Sequence, residues 1–235
     1  MNGAGVPMAS YRIRQYQDKD FDAVRTLFAR GMLEHSPAGY RHVLRSARVQ
    51  LQLLVLFVLV RAAGGFWLLG LGAVALALVA IWLLVHSYST AYVRQALGTD
   101  MADVRGTYLR SPHSCFWVAE AGGAVVGMVA VEPPQDPAER AVALELKRLS
   151  VSREHRGCGI AAALCAEVLR FARTRGFGAV VLSTSVVQVP AQRLYESQGF
   201  RRVGATSPSL LAFLLCFQVF RYRCDLPGPT AAPPR

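Results

Sequence analysis

Negative charge is scarce in this chain. Fifteen Asp and Glu face 26 Lys and Arg over 235 residues, a formal net charge of +11. Two long stretches have no acid at all: the residues between Glu167 and Glu196, and residues 62–93, which lack Lys and Arg as well. The basic residues are scattered, with no Lys/Arg run and no aromatic-interleaved ribbon, so the charge excess does not describe a nucleic-acid surface. An anionic lipid surface and phosphate-bearing small molecules suit it better. Cysteine is sparse too, five residues without a C-x-x-C pair or Cys/His spacing. That excludes a zinc site and a disulfide framework, and it suits the reducing cytosol. No metal is expected. No G-x-x-x-x-G-K-[ST] loop is present, which removes that type of phosphate cradle.

What is present is concentrated in residues 148–166, where Arg156, Gly157, Cys158, Gly159, Ile160 and Ala161 lie between an apolar strand and an Ala/Leu-rich helix. Glycine lets backbone approach a ligand closely, and a helix start offers unpaired N–H groups and a positive dipole end. Such a junction suits a phosphate-bearing ligand. Gly157-x-Gly159-x-x-Ala162 also fits the dinucleotide fingerprint, but that fingerprint needs an early βαβ unit and an acid about 20 residues on. The loop lies two-thirds along the chain, and the acid is missing.

The same residues, taken as Arg156-x-x-Gly159-x-Ala161, match the R/Q-x-x-G-x-G/A pyrophosphate loop of the GCN5-related N-acetyltransferases. Downstream, Ala191, Leu194, Tyr195, Gly199 and Phe200 resemble the A-x-x-L-Y-x-x-x-G-F segment of that superfamily. Gln188 stands where many members carry Asn. Three further stretches, residues 99–104, 114–120 and 125–129, resemble the N-acetyltransferase 8 (camello-like) family. So does the hydrophobic insertion after the first helix, and the similarity runs over residues 11–224.

The resemblance implies an α/β fold, a mixed, splayed sheet flanked by helices, and acetyl-CoA as cosubstrate. It implies a primary-amine acceptor, whether a cysteine S-conjugate, an amino acid or a protein lysine, and an endoplasmic-reticulum membrane location with the catalytic domain facing the cytosol. Backbone N–H groups around Leu149 and Val151 then polarise the thioester carbonyl, and Arg156 with the amides of Gly157, Cys158, Gly159, Ile160 and Ala161 holds the pyrophosphate. Tyr195 is the acid toward the CoA sulfur, or else an ordinary core tyrosine. Glu145 is a base acting through water, or else the ion-pair partner of Lys147 or Arg148. Cys158 is either redox-sensitive or simply a small filler. A CoA-binding protein or membrane scaffold with weak or lost turnover is the alternative for the whole chain.

The insertion itself is visible in hydropathy. The chain is 53% hydrophobic, and residues 66–85 form an uncharged apolar run long enough to cross the ~30 Å hydrocarbon core of a bilayer as a helix. Residues 51–60 are a shorter run, separated from it by Arg61 and two glycines. In an acetyltransferase fold the first strand, residues 11–16, and first helix, residues 21–34, pack on the same sheet as the later motifs. A single crossing would separate them, so the runs should form a transmembrane or re-entrant helical hairpin. Arg41, Arg45, Arg48 and Arg94 predict the cytoplasmic side for both flanks.

The domain plan is therefore residues 1–48 and 87–224 as one acetyltransferase domain, 49–86 as membrane insertion, and 225–235 as a disordered tail. Within it, Asp18 or Asp20 should cap the first helix. Gly122 and Gly123 should turn a hairpin. Residues 133–140 read as loop, and 210–223 read as one strand. The acceptor pocket is expected around residues 34–40, 133–140 and 207–211, with Arg140, Arg193 or Arg202 available to a carboxylate.

Overall fold

A computed structural model describes residues 10–227. The chain opens with β1 (Tyr11–Gln15), α1 (Phe21–Leu33) and α2 (Ser36–Arg45), followed by the hydrophobic pair α3 (Ala47–Ala62) and α4 (Trp67–Gly98). Then come α5 (Val104–Tyr108), β2 (Cys115–Ala121), β3 (Ala124–Glu132), α6 (Pro137–Arg140), β4 (Ala143–Val151) and α7 (Ile160–Thr174). The C-terminal part is β5 (Ala179–Ser185), α8 (Val189–Ser197), β6 (Arg201–Thr206), α9 (Leu210–Leu214) and β7 (Val219–Asp225). Seven strands form one sheet in the order β1-β2-β3-β4-β5-β7-β6. Only β4 and β5 pair in parallel, and α7 is the crossover between them.

Strand alternation sends side chains to two cores. Leu144, Leu146, Val180 and Leu182 bury against Ile160, Leu164 and Val168 of α7. On the other face Phe116, Val118, Met128 and Ala130 bury against Val24 and Phe28 of α1 and Val93 and Ala96 of α4. The first and last parts of the chain thus share one sheet, as the motifs required.

Close approach of α7 depends on Gly127. A Cβ there would lie 3.0 Å from Ile160 Cγ2 and 3.2 Å from both Leu164 Cδ1 and Ala119 Cβ. Gly127→Leu is expected to destabilise the domain by about 1–3 kcal/mol through overpacking, read as a lowered thermal unfolding midpoint; an unchanged midpoint would mean that α7 can shift freely.

The hydrophobic runs form a helical hairpin. Phe57 of α3 sits where a Cβ on Gly70 of α4 would be, at 2.7 Å. Among the described residues α4 is the one single helix long and apolar enough to cross a membrane, and its side chains there are almost wholly uncovered by protein. With 16 residues, α3 is about 24 Å long at 1.5 Å per residue, short of that core thickness.

Several expectations change. Helix α4 runs on to Gly98, past the boundary expected between residues 86 and 87. Residues 210–223 are not one strand: Ser209 caps α9 by accepting from the Ala212 N–H at 3.1 Å, the chain turns at Cys216 with φ 56°, and β7 follows. An apolar run of this length does not tell strand from helix by periodicity. Edge strand β6 was not anticipated, because every one of its residues is exposed and no alternating buried face exists to read. The segment 133–140 includes one helical turn, capped by Asp136 at the Ala138 N–H (2.9 Å). Asp20 does not cap α1; its carboxylate accepts from the Gln17 N–H at 2.9 Å and pairs with Arg14 at 2.7 Å. Of the expected tail, Asp225 ends β7 and Leu226 is buried, and residues 228–235 lie outside the described residues.

Candidate active site

The site begins with an interruption in β4. Its antiparallel register with β3 pairs Lys147 with Ala130 and Ser150 with Met128, leaving Arg148 and Leu149 opposite Val129 alone. This is a β-bulge, and Arg148 takes the left-handed φ of 57°. The parallel register with β5 runs from Ala143↔Ala179 to Leu146↔Leu182 and stops there. Beyond Leu146 the strands diverge, so the backbone at Leu149 and Val151 borders an opening in the sheet.

A positive φ on a non-glycine residue needs outside support. Arg148 donates to both Asp100 oxygens at 2.6 and 2.8 Å and to the Tyr92 hydroxyl at 3.0 Å. Its guanidinium lies 4.9 Å from the Phe28 ring centre, and Tyr108 donates to Asp100 as well. Burial alone would raise the Asp100 carboxyl, but the bonds from Arg148 and Tyr108 overcome it and hold it below the usual range. Burial, followed by the Asp100 charge, pushes the Tyr108 hydroxyl up. Helix α1 closes on the same bulge through Gly31, where a Cβ would stand 2.4 Å from Ser150 Oγ. The sequence signal for this network was the Thr99-Asp100 stretch, noticed only as a likeness; Asp100 and Arg148 lie 48 residues apart.

After β4 the chain makes a short turn and reaches Arg156, Gly157, Cys158 and Gly159. Both glycines have positive φ, 79° and 78°, and Gly159 is the N-cap of α7. Ile160 is buried under Gly127, fixing the helix start. The first N–H groups of α7 have no intrahelical acceptor and face out with the positive dipole end. Arg156 is half-exposed, paired with Glu34 at 2.7 Å, and donates through Nε to the Val151 carbonyl at 3.2 Å. A groove of about 470 Å3 runs between α1 and this loop, bounded by Gly31, Glu34, Val151, Ser152 and Arg156. Cys158 is partly exposed.

Tyr195, on α8, packs its ring 5.8 Å from Phe200 and 6.2 Å from Tyr222. Burial, with a smaller effect of Cys165, raises its hydroxyl pKa, so the group is a proton donor at neutral pH. Tyr195 is buried, and no hydrogen bond of its hydroxyl occurs among the described residues.

A cavity of about 280 Å3 lies on the face of the sheet covered by α1 and α4. Met32, His35, Leu84, Tyr88, Leu211 and Phe217 contribute to its largely apolar wall, and Ser183, Thr184, Ser185 and Gln188 to its polar end at the tip of β5. Gln188 Oε1 accepts from Thr184 Oγ1, the Ser185 N–H and Ser185 Oγ at 3.0 to 3.1 Å, so it shapes this end of β5 where Asn was looked for. Segments 34–40 and 207–211 reach this cavity through His35, Gly39, Ser209 and Leu211. Segment 133–140 lies instead beside Glu145, and Arg140, Arg193 and Arg202 are absent from the cavity wall. Glu145 is paired with Arg221 at 2.9 Å and Lys147 at 3.6 Å.

The end of β4–β5 pairing thus lies beside a helix start with two left-handed glycines. The profile of the Acetyltransferase (GNAT) family matches residues 79–200. The mouse protein named Probable N-acetyltransferase family 8 member 5 is 43% identical over 222 residues, covering 94% of this chain and 97% of its own length. Human N-acetyltransferase 8B is 42% identical over 224 residues, with 95% and 99% coverage. The chain belongs to the N-acetyltransferase 8 group of the GNAT family.

Solved structures agree on the fold of this acetyltransferase. A GNAT-family acetyltransferase from Staphylococcus aureus superposes with a TM-score of 0.54 at 14% identity, covering 93% of this chain and 100% of that one. A ribosomal-protein-alanine N-acetyltransferase from Brucella melitensis gives 0.52 at 18% identity, with 92% and 99% coverage. The acetyltransferase holds no group of three or more His, Cys, Asp or Glu able to bind a metal among its described residues.

Proposed function

We propose that this protein is a membrane-anchored N-acetyltransferase that moves an acetyl group from acetyl-CoA to a primary amine. The observation that carries the proposal is the end of β4–β5 pairing at Leu146, beside a loop whose left-handed glycines start α7. The opening accommodates a slender pantetheine arm, with N–H groups at Leu149 and Val151 available to the arm and the thioester oxygen. The pyrophosphate is held by Arg156 and the amides of Gly157, Cys158, Gly159, Ile160 and Ala161. Arg156 exchanges Glu34 for the phosphates when the cosubstrate enters.

Acetyl transfer needs an uncharged amine, a polarised carbonyl and a proton for the departing thiolate. Tyr195 supplies that last proton. Both oxygens of Glu145 are engaged, by Arg221 and Lys147, so it takes the ion-pair role rather than that of the base. The acceptor is a cysteine S-conjugate, an amino acid or a protein lysine, and the largely apolar wall of the cavity favours an amine with an apolar body.

Membrane attachment is supported by the bare apolar surface of α3 and α4. Short α9 presents Leu210, Leu211, Phe213 and Leu214 outward at the base of the same hairpin, where Arg48 donates to the Phe213 carbonyl and His42 Nε2 lies 3.0 Å from the Cys216 carbonyl. Arg41, Arg45 and Arg48 flank the hairpin entry and favour a cytosol-facing domain, on the endoplasmic reticulum in this proposal.

Acetyl-CoA consumption by the full chain in detergent micelles, against S-substituted cysteines, acidic amino acids and lysine peptides, tests the reading. Tyr195→Phe is expected to lower kcat by about 10- to 100-fold with CoA affinity retained. CoA binding without consumption for every amine would favour the scaffold alternative.

A further inference from the structure

We propose that His35 is the base that takes the proton from the acceptor ammonium. The inference rests on the reading that the cavity beside β5 receives the acceptor. His35 stands at the break between α1 and α2: it lines the cavity, while its neighbour Glu34 lines the groove beside the loop and pairs with Arg156. An acceptor in the cavity and a thioester at the split of β4 from β5 approach one another from those two sides.

The imidazole is uncommitted. Two other histidines have polar partners, His42 at the Cys216 carbonyl (3.0 Å) and His155 at Ser152 Oγ (2.8 Å), whereas no side-chain hydrogen bond of His35 occurs among the described residues. The cavity wall has no Asp, Glu, Lys or Arg. Its other titratable groups are Tyr88 and Tyr92 of α4, and the Tyr92 hydroxyl already accepts from Arg148. α2, β5, the loop before α8, α9 and β7 present only uncharged groups to it. Burial first, then the positive charge of Arg156, lowers the His35 pKa against the opposing pull of Glu34, so the ring is neutral and able to accept a proton at pH 7. When Arg156 turns to the pyrophosphate, the field that disfavours protonation is offset and the ring becomes a stronger base inside the loaded site.

His35 takes one proton from the ammonium, leaving an amine whose lone pair attacks the thioester carbon. Collapse of the adduct breaks the C–S bond, and the thiolate takes a proton from Tyr195. The second proton leaving nitrogen replaces the one Tyr195 gave, and the imidazolium releases its proton to solvent. One amide, one CoA thiol and one solvent proton result.

The test measures kcat/KM from about pH 5.5 to 9.5 for the full chain in micelles, using the best acceptor among S-benzylcysteine, phenethylamine and a lysine peptide. The wild type should show an acid limb below the ordinary histidine value. His35→Gln should lose about 100-fold near pH 7 and climb with pH as free amine accumulates, with CoA affinity within about twofold of wild type. Imidazole in the buffer should partly restore His35→Ala, and Glu145→Gln should keep the limb. A His35→Gln profile that is lowered uniformly, keeps its limb or loses CoA affinity overturns the assignment, as does loss of the limb in Glu145→Gln. If the wild type binds CoA but acetylates none of the three amines, the enzymatic reading fails and the base assignment fails with it.

Discussion

Asp100→Asn should lower the stability of the domain by about 3–5 kcal/mol, the usual consequence of removing one partner from a buried ion pair. Arg148 and Asp100 side chains are 11% and 17% exposed, so water cannot replace the lost carboxylate. The guanidinium would keep its cation–π contacts with Phe28 and Tyr92, which are too weak to offset an uncompensated charge. For a domain of this size the thermal midpoint should fall by roughly 10 °C. Arg148→Met added to Asp100→Asn should return part of the stability, since the stranded charge disappears.

The pH dependence has a definite sign. Asp100 is held below its unfolded value, so its contribution is fully present above the ordinary carboxylate pKa of about 4 and is lost as pH falls through the lowered value. Thermal melts of the wild type and Asp100→Asn should therefore converge in acid. Parallel melts across the whole range would remove Asp100 from its role. Activity should fall along with stability, because Arg148 holds the bulge that opens β4 from β5.

Gly159→Glu should weaken CoA binding by about three orders of magnitude. Two effects combine. A side chain in the left-handed region costs roughly 1–2 kcal/mol, and a carboxylate beside the pyrophosphate adds a repulsion of up to about 4 kcal/mol at 4 Å in surroundings of intermediate dielectric. The fold itself should survive, because a Cβ at this position meets only the Tyr11 hydroxyl, at 3.9 Å. Gly159→Ala isolates the first effect and should cost about tenfold in affinity. Calorimetry with CoA reads both; affinity unchanged in Gly159→Glu would withdraw the phosphate-loop assignment.

Local signals in this sequence were strong where one element decides the outcome by itself. Glycines 157, 159 and 176, all at positive φ, punctuate the chain at the ends of α7, and Gly122 and Gly123 turn the β2–β3 hairpin. The apolar runs declare hydrophobic helices, and the need for both flanks to share one sheet makes them a hairpin. Partners far apart in sequence were less legible. Asp100 and Arg148 are each unremarkable in their own segments, and their importance appears only when the sheet brings α4 against β4. His35 gave no signal because its value lies in what surrounds it, an uncharged wall built from six separate elements. Strand β6 escaped because an edge with no buried side has no hydrophobic period to detect.

The long helix α4 has a bearing on how this protein can be handled. Leu68, Leu69 and Leu71 near its start are exposed, whereas Val93 and Ala96 near its end are core residues and Tyr92 holds Arg148. No loop separates the two roles. The boundary between what the bilayer needs and what the catalytic sheet needs therefore falls inside a continuous helix. A water-soluble version made by excising residues 47–98 would remove part of the interior of the enzyme, while one that recodes only the outward faces of α3 and the first half of α4 leaves that interior whole.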